Sequence, residues 1–117
     1  MAAVVLALAL SGCGLVDEVD PVAVCEEQAD VNGPDFRVAG SFLTTVTTVR
    51  DLIPDAGPDA WRELPDEGHA VLCYLDGPVP QAPPDGEPFD RSVIAVAGGH
   101  AQLIIAGYRD ELRVRAP

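Results

Sequence analysis

Between Arg91 and Tyr108 the chain holds two β-type runs, Arg91 to Ala97 and Ala101 to Tyr108, parted only by Gly98-Gly99-His100. Tight hairpin turns need positive φ, which glycine adopts freely, so this spacing predicts an antiparallel hairpin. Both runs are apolar on both sides: Ile94 and Val96 oppose Val93 and Ala95, and Leu103 and Ile105 oppose Ile104. Such a sheet needs cover on each face, helices on one and a loop or a partner on the other.

Upstream, Ala70 to Leu75 is a third apolar run, bounded by Gly68 and by Asp76-Gly77, and reads as a strand with no polar face. From Asp76 to Pro88 come five prolines and three acids, a loop that crosses the surface without joining the sheet. Pro80 to Pro83 formally fits a proline-rich ligand pattern, and connector is the better reading. Leu112, Val114 and Ala116 alternate with Arg113 and Arg115, which suggests a last strand with one wet face.

Helical signals lie ahead of these strands. Asp20-Pro21 reads as an N-cap followed by proline at the first helical position, with Val22, Cys25 and Ala29 on one face of a helix over residues 21 to 30. Asn32-Gly33-Pro34-Asp35 breaks it. Phe42, Val46, Val49 and Ile53 then recur at intervals of four, three and four, which favours an amphipathic helix stopped by Pro54. Threonines at 44, 45, 47 and 48 suit a strand better and leave a strand over residues 36 to 48 as the alternative. Ala60-Trp61-Arg62-Glu63-Leu64 has room for one helical turn within a loop, with Trp61 at the core edge rather than as an exposed stacking ring.

These elements predict a small single α+β domain. One or two N-terminal helices pack on an antiparallel sheet of three to four strands that includes the C-terminal hairpin, with a proline-rich excursion between the first strand and the hairpin. A chain of 117 residues supports one such core, and its three Phe, two Tyr and one Trp leave that core to Val, Leu, Ile and Ala.

The net charge of −12 repels phosphate backbones and excludes nucleic acid as a partner, and it gives no attraction to anionic lipid headgroups. Residues 13 to 87 hold sixteen acids and three Arg, whereas residues 88 to 117 hold three acids and four Arg, so the basic tail is expected beside acidic surface.

Ala2 to Leu10 is an unbroken apolar run of nine residues, too short for a helix to cross about 30 Å of hydrocarbon and within the range of a signal-peptide core. It leads into Leu10-Ser11-Gly12-Cys13, a branched apolar residue, two small residues and a cysteine. All four positions resemble the lipobox of bacterial lipoproteins. No Lys or Arg precedes the apolar run, a departure from the usual positive start of such signals. The resemblance implies a signal peptide over residues 1–12, removed at Cys13, whose thiol receives a diacylglycerol before cleavage frees its amine. It further implies a lipidated tether over residues 13–20, an exported domain over 21–117, and attachment to the outer side of the cell membrane through the palmitate-type acyl chains on Cys13. Several chains on one residue hold far better than one, since each buried methylene adds about 0.8 kcal/mol.

With Cys13 given to lipid, Cys25 and Cys73 remain as an even pair in a protein that folds outside the reducing cytosol, and a disulfide is expected. Two buried free thiols are the alternative. A zinc pair is disfavoured, because neither cysteine has Cys or His at finger spacing.

For catalysis the mature part offers His69 and His100 with Ser41 and Ser92, none in a recognisable nucleophile context. There is no P-loop, dinucleotide fingerprint, Cys-x-x-Cys or His-Glu-x-x-His, so no enzyme, no cofactor and no metal site are expected. Acidic stretches at Asp17 to Asp20 and Asp85 to Glu87 lack calcium-loop spacing and read as solvated surface. The leading expectation is a lipid-anchored, non-catalytic domain for binding or envelope interaction. Two alternatives stand beside it: a small-ligand or metal-ion binding lipoprotein, with a pocket lined by Trp61, Tyr74, Tyr108 or the histidines, and an accessory subunit of a membrane transporter or enzyme, with a broad apolar patch.

Overall fold

A computed structural model of the chain describes residues 19–54, 56–79 and 86–117. The expected export signal, Cys13 and most of the expected tether lie outside these residues, as does Pro80 to Pro83. The described chain forms helix α1 (Pro21–Asn32), strand β1 (Arg37–Thr45), helix α2 (Val46–Leu52), a 3-10 turn (Pro58–Trp61) and strands β2 (His69–Asp76), β3 (Arg91–Ala97) and β4 (His100–Gly107). The four strands pair antiparallel in the order β1-β2-β3-β4. This is the small α+β domain that the patterning predicts.

Helix α1 starts where expected. The Asp20 carboxylate accepts the Val22 N–H at 3.0 Å, and Pro21 occupies the first turn, where its missing N–H costs nothing. Gly33, at φ 138°, ends the helix by donating its N–H to the Ala29 carbonyl at 3.0 Å. Cys25 and Ala29 are buried against the sheet, while Val22 on the same stripe is 48% exposed.

The helix expected over residues 42 to 53 is corrected: the chain stays extended through Thr45, and only Val46–Leu52 is helical. Phe42 and Thr44 pair with Leu72 and Ala70, as their branched and aromatic side chains suit. Thr45 makes the switch, because its hydroxyl accepts the Thr48 N–H at 3.2 Å and so caps the helix it precedes. The apparent helical period has a physical source, since Phe42, Val46, Val49 and Ile53 all enter one core although they belong to two elements.

The strand expected at Leu112 to Ala116 is also corrected: residues 108–117 form no strand. Side chains take up this segment's carbonyls instead. Arg91 donates to the Leu112 carbonyl at 3.2 Å, and the Tyr74 hydroxyl donates to the Arg115 carbonyl at 3.2 Å. The Arg115 guanidinium donates in turn to the Leu52 carbonyl at 2.9 Å, which ties the segment to the end of α2. The strand that completes the sheet is β1, and the proline-rich connection lies between β2 and β3.

Alternation along β2 divides the interior in two. Ala70, Leu72 and Tyr74 face α2 and the 3-10 turn with Val93, Ala95 and Ala97 of β3, whereas Val71, Cys73 and Leu75 face α1 with Ile94. Each face therefore has its own cover, helical on both sides. Cys25 of α1 and Cys73 of β2 form a disulfide with their Cα atoms 5.4 Å apart, closing a separation of 48 residues inside the α1 face.

Candidate functional site

A polar concavity lies at the end of the sheet where β2 leaves and β3 enters. Asp76 closes β2 and Arg91 opens β3, and the antiparallel register sets them opposite each other. Arg91 Nε donates to Asp76 Oδ1 at 2.6 Å and its Nη2 to Oδ2 at 3.0 Å, a two-point pairing suited to the planar guanidinium. The side chains are 11% and 24% exposed, so this pair is a partly buried structural lock. The Leu112 carbonyl takes a further Arg91 donor, and Arg91 has no buried donor left without a partner.

Around this lock lies a cleft of about 660 Å³, lined among others by Asp35, Arg37, Asp76, Glu87, Asp90 and Arg109. Arg109 Nε donates to Asp90 Oδ2 at 3.2 Å, its backbone N–H to Asp90 Oδ1 at 2.8 Å, and its Nη1 stands 3.8 Å from Asp76 Oδ2. Arg37 is the register partner of Asp76 on β1, is exposed, and makes no ion pair among the described residues. Tyr108 stands at the rim, where its hydroxyl donates to the Glu87 carbonyl at 2.6 Å and its ring meets Phe89 edge to face at 5.1 Å. Carboxylates and guanidinium groups of both signs suit small polar molecules that carry both charges. Comparisons with protein-family models, curated proteins and solved structures find no match to this chain.

The aromatic and histidine residues singled out from the sequence do not meet in one pocket. Trp61 ends the 3-10 turn and packs on the core edge, with the Arg50 guanidinium 5.5 Å above its ring. Tyr74 is almost fully buried, edge to face with Phe42 at 6.1 Å, and reaches a separate cleft of about 310 Å³ beneath Leu112 and Arg115. His69 and His100 open β2 and β4 at the opposite end of the sheet from Asp76, both exposed, with β3 between their strands. Ser41 faces Cys73 across the ladder, and Ser92 is buried opposite Leu75. Among the described residues no three His, Cys, Asp or Glu side chains gather as a metal site, and no helix is long and apolar enough to cross a membrane.

Sequence reading missed Asp76, Arg91, Asp90 and Arg109 as a group. One signal was there to find: an acid that ends one β run and an arginine that begins the next become neighbours whenever the two runs pair antiparallel. The expectation that the basic tail sits beside acidic surface takes concrete form in Arg91 and Arg109, which both reach Asp76.

Proposed function

We propose that this chain is a lipoprotein whose exported domain is held on the outer side of the cell membrane by a lipid on Cys13 and acts there by binding, without catalysis, within the envelope. The observation that carries the reading is the division of the cysteines. Cys25 and Cys73 are joined in the interior of the domain, which fits folding in an oxidising compartment, and this leaves Cys13 as the single cysteine free for another use. It stands at the end of Leu10-Ser11-Gly12-Cys13, where lipid attachment requires it.

A Cys13→Ala variant tests this. The parent chain partitions with membranes and takes up labelled palmitate, and the variant loses both. A variant as membrane-bound as its parent would remove the lipid anchor from the reading.

A second reading, a lipoprotein that binds a small polar ligand, draws on the cleft around Asp76, where Arg37 is free of ion pairs among the described residues. Calorimetric titration with zwitterionic amino acids separates the two: heat that disappears in an Arg37→Ala variant favours the ligand, and no heat from the parent favours the interaction domain.

A further inference from the structure

Among the described residues strand β4 is the last in the sheet and pairs with β3 alone. The turn before it holds Gly98 and Gly99 at φ 59° and 81° and is closed by the pair Ala97 and His100. In two-residue turns of this hand the closing pair exchanges its hydrogen bonds across the strands, so the alternate residues Ala101 and Leu103 turn their N–H and C=O groups out of the sheet. The Gln102 side chain bends over to donate to the Leu103 carbonyl at 3.4 Å, as an outward acceptor permits. Leu103 and Ala101 lie opposite Ile94 and Val96, on the side of the sheet where α1 packs mainly over β1 and β2. Both are exposed, Leu103 by 37%.

Charge indicates the occupant. Residues 92–108 contain no Asp, Glu, Lys or Arg, in a chain with nineteen acids and a net charge of −12. Two copies repel wherever acidic surfaces face each other, and along this edge their backbones meet with no like charges between them. A basic peptide finds no carboxylate on β4 to draw it there. We propose that β4 pairs antiparallel with β4 of a second copy about a two-fold axis through Gln102.

In that register Leu103 of one copy stands opposite Ala101 of the other, large against small, on the α1 side of the joined sheet. The two Gln102 amides meet on the other side, and each can both donate and accept. The ladder is short, because the register shift between Val93 and Ile94 leaves Ile104 as an unpaired bulge. Contact confined to His100–Ile104 falls below the about 1,200–2,000 Å² of a stable dimer, so association depends on concentration. This pairing goes beyond the proposed anchoring and does not rest on it.

The test is a Gln102→Cys variant of the full chain in detergent solution, with Cys13→Ala added so that no second free thiol is present, mildly oxidised and run on a non-reducing gel beside Asn32→Cys, at the exposed end of α1, in the same background. A band at twice the monomer's size is expected, at least about tenfold stronger for Gln102→Cys, and Leu103→Lys added to that variant reduces it to the Asn32→Cys level. Light scattering on an isosteric Gln102→Glu variant, which sets two carboxylates at the axis, guards against misfolding: the parent's mass rises toward two chains with concentration and the variant's does not. Equal cross-linking at both positions, a band undiminished by Leu103→Lys, a parent that stays monomeric up to about 1 mM, or growth beyond two chains would each overturn the proposal.

Discussion

Reducing the Cys25–Cys73 bond gives the sharpest test of what holds this domain together. The bond closes 48 residues of chain, and the entropy that such a link removes from the unfolded state corresponds to about 4 kcal/mol at 25 °C. A domain of this size has roughly 5–15 kcal/mol in total, so the reduced protein is expected to stay folded with a narrow margin. Both cysteines are fully buried, so a reductant reaches the bond only when α1 lifts from the sheet or the chain unfolds. The protein is therefore to be reduced in denaturant, refolded with reductant present, and titrated with urea beside the oxidised form. With a slope of about 2 kcal/mol per molar urea, the midpoint of the reduced form falls by about 2 M. A fall below about 0.5 M, or ready alkylation of Cys25 and Cys73 in the native protein without reductant, would refute the reasoning.

Two substitutions probe the charged end of the sheet and the joint beside it. Arg91→Met leaves the Asp76 carboxylate partly buried without its two-point partner and is expected to cost about 2–3 kcal/mol by urea titration, part of which Asp76→Asn restores in the double variant. Gly77→Ala sets a methyl group 2.6 Å from Cδ2 of Phe36, so the Phe36 ring, in the linker between α1 and β1, must shift; a loss of about 1–3 kcal/mol is expected, and a neutral result would show that Phe36 moves aside freely.

Strands β2, β3 and β4 were legible because each is an apolar run bounded by turn residues, and two of them flank a pair of glycines at positive φ. The start of α1 was legible because Asp20-Pro21 acts through local chemistry alone. The boundary at Thr45 was not, because strand and helix there feed side chains into one core, so periodicity runs through the junction without a break. Residues 112–116 alternate as a strand does, yet their carbonyls are claimed by Arg91 and Tyr74, which lie more than twenty residues away in sequence. The cleft around Asp76 was illegible for a related reason: its carboxylates and guanidinium groups come from four separate segments that only the pairing register brings together.

Helix α1 stands first in the described chain and is bonded covalently to the middle of β2, an interior strand. Mechanically, a pull on the chain ahead of Val19 does not have to peel the helix away or unzip β1 before it is resisted. Tension enters through about one turn of helix to Cys25, crosses to Cys73, and is shared by the hydrogen-bonded ladders on either side of β2. The linker Gly33 to Phe36 and the edge strand β1 lie off that line of force, so the domain is stiff in the direction from which a tether at its N-terminal end would draw it.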